Sequence, residues 1–243
     1  MIPVLLIVLP LLAGLLTFFI KDEKQSRAWV LIASLATLVV SLLGQTVFTD
    51  EKYLSHHTEW MQQLGSSFSV KLDGMGGLLC LLTAIAFPLI FVSTWDAKYK
   101  NAKNFYALML LSQAGLMGVF VAMDALLFYF FWELALIPVY FLCSQWGGPK
   151  RIAVTFKFFI YTFFGSVLML IGIIYLQSKT PDHLFSLQSF YKLSLSGNTQ
   201  SWLFWLFFVA FAIKMPIWPF HTWQPDTYEQ APVATTMVLS GVM

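Results

Sequence analysis

The sequence predicts an all-α membrane protein, a polytopic bundle of transmembrane helices joined by polar loops. Hydrophobic residues make up 58% of the 243 residues and charged residues only 11%, whereas soluble domains have about 45–50% and about 25%. The apolar residues are gathered into runs of membrane length, and the stretches between them hold most of the charges. Both observations predict a chain that crosses a lipid bilayer several times.

The apolar runs predict seven membrane helices and the start of an eighth. Residues 1–20 have neither a basic n-region nor a small-residue cleavage site, so we interpret them as a first membrane helix and not as a cleaved signal. The following runs cover approximately residues 28–48, 74–95, 105–123, 125–146, 152–176 and 202–220, and a last run starts near 231. That last run is too short to span by Met243, and we expect the chain to be a fragment of a longer protein.

The connections between these runs carry local signals. Asp124 alone separates the fourth and fifth helices, which must therefore be antiparallel neighbours. In the loop at residues 49–72, Phe68 to Leu72 alternates apolar and polar residues like a short strand. Residues 184–191 form an amphipathic patch that predicts a short helix at the membrane surface. The loop histidines are expected to be solvated; they are His56, His57 and His183.

Basic residues predict the orientation of the chain. The first, third and fifth loops hold Lys21, Lys24, Arg27, Lys98, Lys100, Lys103, Lys150 and Arg151. The second, fourth and sixth loops, although mostly longer, hold only Lys52, Lys71, Lys179 and Lys192. Because cytoplasmic loops are enriched in lysine and arginine, the odd loops should be cytoplasmic and the N-terminus should face the outside.

Glu133 is the first candidate functional residue. It lies well inside the fifth run, whose 22 residues from Ala125 to Trp146 would form a helix about 33 Å long with Pro138 inside it. A carboxylate at that depth costs about 3 kcal/mol on insertion scales, so it needs a partner or a proton. The alternative reading is a protonated structural carboxyl that is bonded to a neighbouring helix.

The seventh run predicts a broken helix around a second charge. Pro216 and Pro219 each remove a backbone donor and crowd the preceding turn, so the helix should break after Lys214. Broken helices at membrane depth are typical of ion sites in transporters. His221, just after the break, would relay protons or cap the helix. Lys214 would otherwise be a counter-ion that only seats the helix.

Other residue types predict little further chemistry. Lys157, in the first two turns of the sixth helix, is a candidate proton-path residue, or it reaches the membrane interface by snorkelling. Cys80 and Cys143 lie in different apolar runs, without the spacing of a metal or iron–sulfur site. A nucleotide-binding glycine motif and a histidine pair for haem are also missing. We therefore predict no cofactor, no metal and no redox site on this chain, and no nucleic-acid partner.

Four motifs together give the chain a family resemblance. The stretches FFWELALIPVYFLCSQWGG, RIAVTFKFFIYT, AFAIKMPIWPFHTWQPD and EQAP resemble the antiporter-like subunits of respiratory complex I, most closely the branch of bacterial subunit M and mitochondrial subunit 4. The resemblance covers the whole chain in helix order. It implies a fold of fourteen helices with two inverted five-helix repeats. Residues 1–104 would be the three leading helices, with an outer loop at 49–72, and residues 105–243 would form most of the first repeat.

The resemblance also implies a function for the two buried charges. It maps the glutamate and lysine of the family's proton-translocating pair onto Glu133 and Lys214. A close pair at an effective dielectric of 20 gains about 4 kcal/mol at 4 Å, about a thousandfold in the affinity of the lysine for its proton. The implied protein is a proton-translocating subunit of NADH:quinone oxidoreductase in a bacterial cytoplasmic membrane. Its partner subunits would carry FMN, iron–sulfur clusters and quinone, and adjacent antiporter-like subunits would contact it.

Two alternatives remain open at this point. A subunit of a multi-subunit sodium/proton antiporter would share the glutamate and lysine but would have no dehydrogenase partner. A structural scaffold would only tie other subunits together. Flavin and iron–sulfur absorbance that co-purify with the chain would distinguish complex I from the antiporter. Proton pumping by variants of Glu133 and Lys214 would identify a scaffold.

Overall fold

The computed structural model describes all 243 residues as a helical bundle with one β-hairpin. In chain order the elements are α1 (Ile2–Thr17), α2 (Glu23–Thr46), α3 (Glu51–Leu54), β1 (Ser55–Met61), β2 (Ser66–Lys71), α4 (Gly74–Ser93), α5 (Ala102–Val121), α6 (Ala125–Trp146), α7 (Arg151–Lys179), α8 (Leu187–Tyr191), α9 (Gly197–Lys214), α10 (Trp223–Gln230) and α11 (Val233–Gly241). Single 3₁₀ turns cover Gln62–Leu64 and Phe220–Thr222.

Five of these helices are long and apolar enough to cross a membrane, which confirms the predicted fold class. They are α2, α4, α5, α6 and α7. Helix α1 is apolar but has only 16 residues, about 24 Å. Several predicted bounds were wrong: α5 begins at Ala102 and α9 at Gly197, ahead of the predicted 105 and 202. Helix α2 begins at Glu23, inside the charged stretch, because the Asp22 side chain caps it by accepting a hydrogen bond from Gln25 N. Helix α7 extends to Lys179.

Helix α5 lies at the centre of the bundle, between α1, α2, α4 and α6. Its contact with α6 is close because glycines face the neighbouring backbone. A Cβ added at Gly115 would lie 2.5 Å from Ala135 N, and one at Gly118 would overlap the ring of Phe131. Such small residues allow membrane helices to approach each other closely. The predicted antiparallel pairing of these two helices is therefore confirmed.

The second loop contains the one departure from an all-α fold. Strands β1 and β2 pair antiparallel, with an irregular register between Glu59 and Met61. The strand predicted at residues 68–72 is confirmed by β2, whereas β1 was missed. The N-terminal ammonium of Met1 donates to Tyr53 O at 2.7 Å, so the N-terminus lies on the same face of the bundle as this hairpin.

Asp124 fastens this hairpin to the start of α6. Its buried carboxylate accepts hydrogen bonds of 3.0 Å from Ser66 Oγ and Ser67 N on β2, and from Leu126 N and Leu127 N in the first turn of α6. The last loop joins the same assembly, since Phe185 N donates to the carbonyl of residue 65 and Phe185 O accepts from the amide of residue 125. Hydrogen bonds therefore join three connections on one face of the bundle: the loop with the hairpin, the turn at Asp124 and the loop that contains Phe185.

Candidate functional site

The predicted break in the seventh membrane run is present. Helix α9 ends at Lys214, and the chain continues irregularly to the 3₁₀ turn at Phe220–Thr222 before α10. The last carbonyls of α9 find donors in three ways. Met215 N donates to Phe211 O at 2.8 Å and Ile217 N donates to Ala212 O at 2.9 Å. The Ile217 amide takes the place of the amide that Pro216 lacks at Ala212 O, which leaves Ile213 O without its usual donor, and the indole Nε1 of Trp223 donates to Ile213 O at 2.9 Å.

Packing against α7 gives the depth of the break. A Cβ added at Gly165 would lie 3.2 Å from Ile213 Cδ1 and 3.3 Å from Ala210 Cα. Gly165 is the middle residue of α7, which runs from Arg151 to Lys179. The last turn of α9, with Lys214, therefore lies opposite the middle of the longest membrane helix. Irregular backbone at such a depth needs protein or water around it.

Glu133 and Lys214 both lie near Trp132 but do not contact each other. The Lys214 ammonium lies over the ring of Trp132, 5.1 Å from its centroid, and Trp132 precedes Glu133 on α6. The structure contains four ion pairs within 4.0 Å, and none joins Glu133 to Lys214. Glu133 Oε1 is buried and has no hydrogen-bond partner. The close pair inferred from the resemblance is thus open in this conformation, with an aromatic ring contacting the cation.

Two cavities meet at Lys214. One, of about 230 Å³, has six hydrophobic residues in its lining, and we call it the polar cavity because the side chains of Gln224, Tyr228 and Ser240 also border it beside Lys214. The other, of about 70 Å³, has Lys214 as its one charged residue among apolar side chains that include Trp132 and Ala135. The lysine therefore stands between a polar space beside α10 and an apolar space beside α6.

Lys157 lies in an ion pair and does not snorkel freely. Its Nζ donates to Asp226 Oδ2 and to Thr222 O, each at 2.8 Å. Tyr161, one turn along α7, has its hydroxyl 3.1 Å from Thr222 Oγ1. Sequence reasoning missed Asp226 because 69 residues separate it from Lys157. The available signal was its position directly after Pro225, in the first turn of a helix that follows the break.

His221 lies in the 3₁₀ turn after the break. The turn follows a cis peptide bond between Trp218 and Pro219. The His221 Nδ1 atom is buried without a hydrogen-bond partner, and the roles predicted for this residue, proton relay or helix cap, stay predictions.

Comparisons with known proteins agree with this architecture. Residues 122–243 match the family model described as "NADH:quinone oxidoreductase/Mrp antiporter, TM". The chain is 36% identical over 250 residues to F(420)H(2) dehydrogenase subunit M of Methanosarcina mazei, which covers 98% of this chain and 50% of the relative. It is 38% identical over 235 residues to NADH-quinone oxidoreductase subunit M of Rhodobacter capsulatus, which covers 90% of this chain and 45% of that protein.

A solved structure has the same fold. A chain in respiratory complex I from Thermus thermophilus superimposes with a TM-score of 0.87 at 26% sequence identity, covering 98% of this chain and 49% of that one. The present chain spans about half the length of the relatives it matches. The matched half includes the helix that bears Glu133, the broken helix and α10.

Proposed function

Since the chain belongs to the family of membrane proteins described as NADH:quinone oxidoreductase/Mrp antiporter, we propose that it acts in a proton-translocating membrane subunit of NADH:quinone oxidoreductase. The observation that carries the proposal is the placement of Lys214. It ends a helix that is broken at membrane depth, it contacts the residue next to Glu133, and it borders a polar cavity. Each of these features is needed to bind and release a proton away from bulk water.

In the proposed mechanism Lys214 holds the proton and Glu133 controls how tightly it is held. When the carboxylate approaches the ammonium, the Coulomb attraction retains the proton; when they separate, the partly desolvated lysine releases it. The open arrangement, with Lys214 over Trp132, corresponds to the release half of this cycle. Lys157 and His221 would pass protons between the cytoplasmic end of α7 and the polar cavity beside α10.

The redox chemistry belongs to partner subunits in this proposal. FMN, iron–sulfur clusters and quinone would lie in those partners, and this chain would convert their coupling energy into proton movement. Adjacent antiporter-like subunits would be its neighbours in the membrane. The N-terminus would face outside, and residues 105–243 would form the first half of the translocating module behind the leading helices in 1–104.

The identity of the electron donor has a second candidate. The relative from Methanosarcina mazei is named as a subunit of F(420)H(2) dehydrogenase, whereas that from Rhodobacter capsulatus is named as a subunit of an NADH dehydrogenase. Both match this chain over nine-tenths or more of its length. Membranes that contain the complete complex should therefore be given NADH and reduced F420 separately, and the donor that supports quinone reduction identifies the electron-input module.

The proposal is tested by proton pumping in vesicles that carry the complete complex. Lys214→Met and Glu133→Gln should lower the protons moved per electron while the amount of assembled complex stays normal. Unchanged pumping in both variants would show a structural scaffold and overturn the proposal. A matched control is Lys179→Met, at the end of α7, where Lys179 contacts the ring of Tyr175 and lies far from the break.

Purification in mild detergent separates the remaining alternative. Co-migration of the chain with flavin and iron–sulfur absorbance supports the proposal. A complex without either chromophore that exchanges sodium for protons would assign the chain to the Mrp antiporters of the same family.

A further inference from the structure

Trp223 is the residue that joins the end of α9 to the segment after the break. It is 3% exposed, and its indole Nε1 donates to Ile213 O at 2.9 Å. Ile213 directly precedes Lys214. The same indole packs on Phe158 of α7, with ring centroids 5.0 Å apart. A single side chain therefore touches the helix end that bears Lys214 and the helix that bears Lys157.

The segment that carries Trp223 is anchored on both sides. The residue before it, Thr222, offers its carbonyl to Lys157 Nζ, and Asp226, one turn later, accepts from the same ammonium. Thr227 Oγ1 donates to Trp223 O at 2.6 Å. The two bonds from Lys157 hold the first turn of α10 against α7, and the indole of Trp223 reaches the end of α9 from that turn.

We propose that Trp223 is a positioning residue for Lys214, and that the Lys157–Asp226 ion pair holds Trp223 in place. This inference rests on the proposed function of Lys214 as the proton carrier. The indole N–H ties down the last turn of α9, which keeps the Lys214 ammonium at the boundary between the polar and the apolar cavity. Lys157 then contributes to translocation by setting the geometry of the break.

The direct test removes only the indole N–H. In vesicles with the complete complex, Trp223→Phe should lower the protons moved per electron by at most about fivefold and by less than Lys214→Met does, because one hydrogen bond is worth roughly a fivefold change in an equilibrium. The rate of electron transfer per assembled complex should stay unchanged. Trp205→Phe is the matched control, since Trp205 lies on α9, the helix that bears Lys214, is 58% exposed and makes no indole hydrogen bond.

The ion pair is tested by non-additivity. Asp226→Asn and Lys157→Met should each lower the protons per electron, and their double variant should lower them no further than Lys157→Met alone, because Lys157→Met already removes the ion pair that Asp226→Asn removes. Asp226→Glu, which keeps the carboxylate, should retain pumping. These readouts distinguish positioning from a merely structural role, which would reduce the amount of complex and leave the protons per electron of the assembled fraction constant.

The outcomes separate this inference from the proposed function. If Lys214→Met lowers pumping but Trp223→Phe behaves like Trp205→Phe, Trp223 does not position the lysine and only the inference is overturned. If Lys214→Met itself has no effect, the proposed function fails first. If Lys157→Met and Asp226→Asn add fully in the double variant, the two residues act separately and the anchoring step is wrong.

Discussion

Asp124 is predicted to hold the outer hairpin onto the membrane helices, and its removal should loosen that hairpin selectively. The carboxylate accepts two hydrogen bonds from β2 and two from the first turn of α6. Asp124→Ala removes a helix N-cap, which costs about 1 kcal/mol. It also leaves Ser66 Oγ and Ser67 N without an acceptor, at about 1 kcal/mol each. The total loss is about 3 kcal/mol, of which about 2 kcal/mol falls on the hairpin.

The assay is hydrogen–deuterium exchange of the complete complex, followed over residues 55–71. Because about 1.4 kcal/mol changes an equilibrium tenfold, a hairpin weakened by about 2 kcal/mol should open about 30-fold more often. Asp124→Asn should give a smaller increase, since the amide oxygen can still accept from Leu126 N and Leu127 N, but the amide NH₂ cannot accept from Ser67 N.

A matched control uses an exposed aspartate on the same face. Asp182 accepts from Ser189 Oγ at 2.8 Å and from Leu184 N at 3.4 Å, outside the hairpin. Asp182→Ala should leave exchange in residues 55–71 unchanged. The reasoning is refuted if Asp124→Ala accelerates hairpin exchange by less than about threefold, or no more than the Asp182 variant does.

Three further predictions follow from packing, buried polarity and orientation. Gly115→Ala should destabilise the complex by about 1–3 kcal/mol in thermal unfolding, because the new methyl group meets the α6 backbone. Gly74→Ala is the control and should not destabilise it, since a Cβ there has no neighbour within 4 Å. Equal effects of the two variants would contradict the packing argument. Gln113→Leu should be neutral or stabilising in the same assay, because both polar atoms of that fully buried amide lack a partner; a clear loss of stability would show that the amide is used. In right-side-out vesicles an impermeant maleimide should label Ser194→Cys and not Lys98→Cys; the opposite pattern would invert the predicted topology.

The sequence predicted the bundle well because its signals are local. An apolar run of membrane length defines a helix wherever it occurs, and the single residue between the fourth and fifth runs left no other pairing possible. The break after Lys214 followed from two prolines within four residues. Glu133 was found because an intramembrane carboxylate is costly wherever its neighbours lie. The roles assigned to Glu133 and Lys214 stay predictions.

The parts that the sequence did not predict depend on distant partners. In the sequence Asp124 is only a short interruption between two apolar runs. In the structure its carboxylate oxygens accept hydrogen bonds from Ser66 and Ser67, more than 50 residues earlier. Strand β1 carries no apolar alternation in its residues 55–61, so only its pairing with β2 defines it. Trp223 was one aromatic residue among many, and its role follows only from the carbonyl that its indole reaches.

In the proposed mechanism the pair of Glu133 and Lys214 has to open, because a permanently closed pair would not release its proton. At an effective dielectric of 20, doubling the separation from 4 Å halves the attraction from about 4 to about 2 kcal/mol, roughly a 30-fold change in proton affinity. The cation–π contact with the Trp132 ring stabilises the separated lysine by about 0.5–2 kcal/mol. The two arrangements therefore differ by an energy of the same order as one or two hydrogen bonds. In the proposed mechanism an energy of that size at the end of α9 would move the lysine between them, and the indole of Trp223 is one of the contacts that hold that end.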